Sequence, residues 1–282
     1  MTTTDVRLLL DGLAQSPAFL VTVESTQGSA PREAGAWMAV FADRTVGTIG
    51  GGHLEHQAIH EARGRLAGKA GALQQRYALG PALGQCCGGV VHLAFELLPQ
   101  APDAAAATRL RARLAPPGHP VALFGGGHVG HAIARVLAPL PFALTWVDSR
   151  DGIFPVPPPD GAVCEHSEPV HGAVPGLAPG SRVLIMSFSH AEDLDVVAAC
   201  LRRQRERADL PFIGLIGSQT KWATFSSRLR GRGFTPEELA HITCPIGIPG
   251  IDGKEPAVIA VAVAAQLLLS LQADSGAGGS AP

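Results

Sequence analysis

A glycine-rich segment in the middle of the chain constrains the fold more than any other feature. Gly125-Gly126-Gly127-His128-Val129-Gly130 fits the pattern G-x-G-x-x-G, follows a predicted buried strand at 121–124 and opens a predicted helix at 129–137. Asp148 ends the next predicted strand. In Rossmann-type domains this spacing lets backbone N–H groups hold a phosphate at the helix N-terminus, while the carboxylate accepts ribose hydroxyls. Gly125, Gly127, Gly130 and Asp148 are therefore candidate ligand-binding residues. The loop could hold NAD(P), another phosphate ligand or none.

The rest of the chain predicts an α/β protein with two differently built parts. Beyond the glycine loop, strands alternate with helices, which favours a parallel sheet covered on both faces. Before residue 99 the order strand, strand, strand, helix, strand indicates a small α+β domain, in which 36–41 and 46–49 form a hairpin. The predicted organisation is an α+β domain at 1–99, a linker at 100–118, a Rossmann-type domain at 119–273 and a disordered tail at 274–282. The last helix, 255–273, is apolar nearly all round and should pack against something, such as the first domain.

Composition excludes several classes of function. The 282 residues carry 22 basic and 24 acidic side chains, a formal charge of -2, so a nucleic-acid partner held through phosphates is not expected. The most apolar segment, 258–271, is shorter than a membrane span, and the first residues do not resemble a signal peptide. Five cysteines, an odd number, favour reduced thiols and a cytoplasmic location.

Two adjacent cysteines stand in an unusual glycine-rich setting, Gly84-Gln85-Cys86-Cys87-Gly88-Gly89. Adjacent side chains point to opposite faces of an extended chain, so the two thiols are not expected to chelate one metal ion together. A soft thiolate suits molybdenum, copper(I), zinc or a transferred sulfur atom. We interpret Cys86 and Cys87 as candidate metal ligands and Gln85 as a candidate cofactor-binding residue. The alternative is a pair of small buried side chains beside a turn.

Two further positions carry candidate binding chemistry. Gly50-Gly51-Gly52 lies between a predicted strand and a predicted helix, where exposed N–H groups can bind an anion, although a tight turn explains these glycines equally well. His190 follows a predicted strand at 182–188, and residues beyond the carboxyl end of such a strand face the ligand crevice. His56 and His60 share a helix face, but the sequence shows no third ligand at a spacing typical of a metal site. We therefore expect that face to be solvated.

Several segments together resemble the XdhC/CoxI family of accessory proteins for molybdenum hydroxylases over nearly the whole chain. They are GSAPR at 28–32, GTIGGGHLE at 47–55, the cysteine segment at 84–89, the glycine loop with His128, Asp148-Ser149-Arg150, IGLIGS at 213–218, PIGI at 245–248, and Pro256. The chain departs from the family at Ser187-Phe188-Ser189-His190, where relatives are expected to show a Thr-His-x-His type of pattern. His190 is kept and the second histidine is not.

The resemblance implies a role in cofactor delivery. It implies that the protein binds the molybdenum cofactor (molybdopterin with its metal), helps its sulfuration by a cysteine desulfurase, and passes it to the molybdenum-carrying subunit of a xanthine dehydrogenase. It places His128 among the binding residues and favours Cys87 over Cys86 as the thiol that meets the ligand. We also expect a homodimer, and an accessory protein rather than an enzyme. The rival is an NAD(P)-dependent oxidoreductase that uses the glycine loop, for which His190 is the proton donor that the sequence suggests.

Overall fold

The computed structural model of the protein consists of two compact units, Met1–Pro116 and Pro117–Pro282. The structure describes residues 3–79, 88–115 and 118–277. Each unit has its own sheet and its own hydrophobic core.

The first unit is built on an antiparallel sheet. Its elements, in chain order, are α1 (Thr3–Leu13), β1 (Ala18–Gln27), β2 (Trp37–Val40), β3 (Thr45–Gly47), α2 (Gly52–Leu66), β4 (Gln74–Ala78), β5 (Val90–Leu98) and α3 (Ala104–Leu114). Within the described residues the strand order is β3-β2-β1-β5-β4. The predicted hairpin is confirmed, since β2 and β3 pair antiparallel from Met38 opposite Gly47 to Val40 opposite Thr45.

Helices cover both faces of this sheet because its strands alternate buried side chains between them. On one face α2 packs through Leu54, Ala58 and Ala62. On the other face lie α1 and α3, and the indole N–H of Trp37 donates to the carbonyl of Leu114 at the end of α3, at 3.1 Å. The helix predicted to be part of a linker at 100–118 is thus part of the first unit's core.

The second unit is built on a parallel sheet. Its elements are β6 (His119–Phe124), α4 (His128–Leu137), β7 (Phe142–Asp148), β8 (Ala162–His166), a 3-10 helix (Val170–Gly176), β9 (Arg182–Ile185), α5 (His190–Arg207), β10 (Phe212–Leu215), α6 (Gln219–Gly231), α7 (Pro236–Leu239), β11 (Ile242–Thr243) and α8 (Pro256–Ala277). In the part of the chain that the structure describes, the strand order is β11-β10-β9-β6-β7-β8 and every pairing is parallel. This is the Rossmann order, and it confirms the predicted fold class.

Both faces of the parallel sheet are buried. Helix α8 packs on α4, the helix that follows the glycine loop, so its apolar surface is used within the second unit. The helix continues to Ala277, so residues 274–277, predicted to begin a disordered tail, are helical, while 278–282 lie outside the described residues. Among the residues that the structure describes, no helix is long and apolar enough to cross a bilayer.

Candidate functional site

The glycine loop connects β6 to α4, as predicted, and the space available for a side chain differs at each of its glycines. A Cβ at Gly125, whose φ is +122°, would meet the backbone carbonyl of Met186, and a Cβ at Gly130 would meet the carbonyl of Gly125. A Cβ at Gly126 would lie 2.6 Å from the Ile153 side chain. At Gly127, by contrast, nothing lies within 4 Å of the Cβ position, so the space in front of this residue is open.

The N-terminus of α4 has no side-chain cap. Its N-cap residue is Gly127, whereas α5 is capped by Ser189 and α6 by Ser218, which accept hydrogen bonds from the Glu192 and Lys221 amides. The first N–H groups of a helix lack partners within the helix and favour an anion. The open space at Gly127 therefore lies where a phosphate can be held, with His128 exposed at the first position of the helix.

Asp148 lies at the end of β7 and is 1% exposed. Its Oδ2 accepts from the Gly126 N–H at 2.5 Å and from Arg150 Nη2 at 2.9 Å. Its Oδ1 accepts from the Arg150 N–H and Nε, both at 2.9 Å. Burial raises the pKa of this carboxyl, but the hydrogen bonds from Arg150 and Gly126 outweigh it and hold the pKa below its ordinary value. The predicted ribose-binding carboxylate is thus engaged by the protein itself.

Residues after β7 contact residues after β9, on either side of the glycine loop. The hydroxyl of Ser149 donates to Glu192 Oε1 at 2.6 Å, and the N–H of Phe188 donates to Glu192 Oε2 at 3.0 Å. The Arg150 guanidinium lies 4.5 Å from the centre of the Phe188 ring. Because β6 lies between β9 and β7 in the sheet, these contacts join the two sides of the crevice at the loop that follows β6.

His190 lies where the sequence predicted, beyond the carboxyl end of β9, as the first residue of α5. Its ring contacts that of Phe225 edge to face, with centroids 6.2 Å apart. The sequence did not reveal the buried ion pair beside it. Lys221 Nζ lies 2.7 Å from Asp193 Oδ2, and Asp193 Oδ1 accepts from the Ser187 N–H, also at 2.7 Å. This ion pair joins the residues that follow β9 to α6.

The glycine turn of the first unit is partly occupied by a carboxylate of its own. Glu55 Oε2 accepts from the Thr48 hydroxyl at 2.5 Å, from the Ile49 N–H at 3.0 Å and from the Gly51 N–H at 3.1 Å. Gly50, Gly51 and Gly52 all have positive φ, so this turn is one that L side chains rarely adopt. The Gly51 amide, predicted as a possible anion donor, is therefore used within the turn.

The sequence segments that carry the family resemblance in the first unit converge in space. A Cβ at Gly50 would lie 2.5 Å from Pro31 Cβ, and a Cβ at Gly89 would meet the carbonyl oxygen of Ser29. The N–H of Leu79 donates to the Gly89 carbonyl at 2.8 Å. Gln85, Cys86 and Cys87 lie outside the described residues, so their predicted roles stay predictions.

The histidine pair on α2 and the buried cysteine of α5 have ordinary surroundings. His56 and His60 are exposed, as predicted, beside a cavity of about 480 Å³ that Tyr77 also lines. Within residues 3–79, 88–115 and 118–277, no group of three or more His, Cys, Asp or Glu side chains is placed to hold a metal ion. Cys200 is fully buried, which raises its pKa to about 12.

Cys244 has a setting that the sequence did not indicate. It follows β11 and borders a cavity of about 790 Å³, lined mainly by the glycine-rich loop at 245–254. Burial raises the pKa of its thiol, the positive charge of Lys221 lowers it and Asp193 raises it, with a net increase. Only the tertiary structure brings Cys244 and Lys221 together, so the spacing of residues in the sequence could not have predicted this arrangement.

The strand order, the uncapped helix and the open approach at Gly127 define the second unit as a Rossmann-type domain whose first helix begins at an open, uncapped N-terminus. The sequence pattern of the XdhC Rossmann domain matches residues 121–267, more than half of the chain, and that of the XdhC and CoxI family matches residues 13–78. The chain belongs to the XdhC family.

Two similar proteins place the chain among known relatives. The Escherichia coli (strain K12) protein YqeB is 29% identical over 259 residues, which cover 89% of this chain and 43% of YqeB. The chain therefore spans less than half the length of this relative. A Bacillus halodurans protein, described as a xanthine dehydrogenase, has a crystal structure that matches with a TM-score of 0.73 at 20% identity, over 97% of this chain and 96% of that one. At this identity the likeness shows the fold alone.

Proposed function

We propose that this protein acts in the maturation of a xanthine dehydrogenase-like molybdenum hydroxylase, by binding the molybdenum cofactor and supporting its sulfuration and insertion. Membership in the XdhC family supports the general role. The observation that carries the binding step is the open space in front of Gly127 at the uncapped start of α4.

The described residues fit the phosphate end of that cofactor. N–H groups at the start of α4 would donate to phosphate oxygens, and the helix dipole would favour the negative charge. His128 lies at the same helix start, and His190 lies beyond the neighbouring β9. When bound, the cofactor would supply the molybdenum that the target enzyme needs. The thiolate that would meet the metal is assigned to Cys86 or Cys87 on the sequence alone.

Gly127→Val tests the phosphate site. Gly127 has φ −76°, which valine adopts, and the added Cβ would lie in the open space with no protein atom within 4 Å. We expect a folded protein that retains less cofactor when purified anaerobically from a molybdenum-replete host, measured as bound molybdenum and pterin fluorescence. Gly231→Val is the matched control, because Gly231 is an exposed residue of α6 that also has nothing within 4 Å of its Cβ position. A folded Gly127→Val protein that retains cofactor like the control would contradict the phosphate site.

Single serine substitutions test the thiol ligand. Cys86→Ser and Cys87→Ser keep the size of the side chain but remove the soft sulfur, and we expect one of them, Cys87→Ser by the family resemblance, to lose cofactor retention and activation of the target enzyme. Cys164→Ser is the control, since Cys164 is only partly buried and lies in β8. Retention and activation at the parent level in both single variants and the double variant would refute the thiol ligand.

The proposed partners are the molybdenum-carrying subunit of a xanthine dehydrogenase and a cysteine desulfurase, and the proposed state is a homodimer in the cytoplasm. Co-purification from the native host, followed by mass spectrometry, should recover both enzymes. Recovery of neither would contradict the delivery role. Light scattering of the purified protein tests the dimer separately.

A further inference from the structure

We propose that Arg150 determines which ligands the glycine loop accepts. By holding both carboxylate oxygens of Asp148, Arg150 closes the subsite that an adenosine ribose takes in dinucleotide-binding Rossmann domains. The loop then accepts a phosphate ligand that places no ribose on this carboxylate.

The first step of the argument is the number of hydrogen bonds at Asp148. Each carboxylate oxygen offers about two lone-pair positions. Oδ1 accepts from the N–H and Nε of Arg150, and Oδ2 accepts from Nη2 of Arg150 and from the N–H of Gly126. All four positions are therefore filled by the protein. A ribose hydroxyl can bind this carboxylate only after Arg150 moves away.

The second step is what keeps Arg150 in place. The planar guanidinium forms a two-pronged contact with the carboxylate and lies against the ring of Phe188. The backbone of Phe188 is fixed by Glu192, which also accepts from Ser149, the residue between Asp148 and Arg150. The arginine is therefore held on the carboxylate by residues from both sides of the crevice.

The third step is that the phosphate position remains open while the ribose position is filled. The Cβ position of Gly127 has no neighbour within 4 Å, whereas Asp148 is 1% exposed. The position that a phosphate takes in a dinucleotide site is thus open, whereas the position that a ribose takes is closed by the protein's own side chains. Because Asp148 supplies no free oxygen, the same geometry argues against an NAD-dependent oxidoreductase that binds its ribose hydroxyls on this carboxylate.

The test measures ADP binding by isothermal titration calorimetry in the parent protein and in Arg150→Met. Methionine keeps an unbranched side chain but cannot donate to Asp148. Since hydrogen bonds to a charged group contribute strongly, we expect Arg150→Met to bind ADP at least about tenfold more tightly than the parent. The gain should disappear with 2′,3′-dideoxy-ADP, which lacks the ribose hydroxyls. Arg232→Met is the matched control, because Arg232 pairs with the carboxylate of Asp195 on the surface of the same unit, at the C-terminal end of α6.

A second variant keeps the test decisive if Arg150→Met does not fold. Arg150→Lys retains a positive charge beside the buried carboxylate but donates from a single atom. It should show a smaller gain in ADP affinity in the same direction. The proposal is overturned if neither folded variant gains affinity, if the gain persists with dideoxy-ADP, or if the parent already binds ADP as tightly as its variants.

This inference rests on the proposed function in treating the glycine loop as the phosphate site, yet the two can fail separately. ADP binding is measured on purified protein without molybdenum cofactor, whereas Gly127→Val is judged by cofactor retention. If ADP affinity rises in Arg150→Met while Gly127→Val retains cofactor, the specificity role stands and the cofactor site is elsewhere.

Discussion

The buried ion pair between Lys221 and Asp193 gives the sharpest prediction about stability. Asp193 is 2% exposed, and the Lys221 side chain is 13% exposed. Lys221→Met leaves the carboxylate without its cation, a change that costs about 3–5 kcal/mol when one partner of a buried pair is removed. Asp193 keeps its hydrogen bond from the Ser187 N–H, so we expect the lower end, about 3 kcal/mol.

Urea unfolding of the second unit measures this loss. Trp146 and Trp222 lie in that unit and Trp37 in the first, so a Trp37→Phe background makes fluorescence report the second unit alone. With a denaturant slope of about 2 kcal/mol per molar urea, the midpoint should fall by roughly 1.5 M. The comparison is made between Lys221→Met and its parent, both carrying Trp37→Phe.

A double variant measures how much of this stability comes from the interaction between Lys221 and Asp193. In Asp193→Asn/Lys221→Met the charge is removed along with its partner, and the asparagine carbonyl can still accept from the Ser187 N–H. We expect the unfolding free energy of the double variant to be higher, by about 1–3 kcal/mol, than the value obtained by adding the losses of the two single variants. Simple additivity, or a shift of less than about 0.3 M urea in Lys221→Met, would refute the reasoning.

Three further predictions concern the second unit. Gly130→Ala should lower its unfolding free energy by about 1–3 kcal/mol in the same urea assay, because the new Cβ would meet the Gly125 carbonyl; an unchanged midpoint would show that the loop relaxes. The pKa of Asp148 is lowered by folding, so its ionisation stabilises the folded state above about pH 4, and this contribution is lost as pH falls through the folded pKa. Asp148→Asn should therefore flatten the pH dependence of unfolding below about pH 4, and an identical acid profile would contradict this. Cys200, with its pKa raised to about 12, should be alkylated by iodoacetamide at about pH 8 only after urea is added, as followed by peptide mass spectrometry; labelling in the folded protein would contradict its burial.

The Rossmann fold could be predicted because its evidence is local. A buried strand, a glycine loop and an amphipathic helix follow one another without a gap, and Gly125 and Gly130 are explained by backbone contacts that any Rossmann domain makes. Two elements of the first unit were missed, although Val6, Leu9 and Leu13 of α1 do lie at helical spacing. Helix α1 is interrupted in sequence by Asp11 and Gly12, and β4 is an edge strand without alternating apolar residues.

The hydrogen-bond partners of the candidate site residues could not be predicted in the same way. The spacing identifies Asp148 as a carboxylate at the end of a strand, but not that Arg150 turns back onto it. Likewise, the glycines of the first unit indicate exposed amides, but not that Glu55 accepts from one of them. Such pairings depend on side-chain conformations and on residues that follow other strands, neither of which a motif records.

The packing of α8 on α4 has a consequence for the order in which the protein matures. Ile133, Ala134 and Leu137 of α4 are buried together with Val263 and Leu267 of α8. On the ribosome the glycine loop emerges early, whereas α8, which holds the helix behind that loop, is made only after every strand of the sheet. Until then the inner face of α4 is uncovered, and the helix N-terminus that carries the proposed phosphate site is not supported by α8. If the proposed ligand binds at this helix start, we expect it to bind the finished polypeptide and not the growing chain.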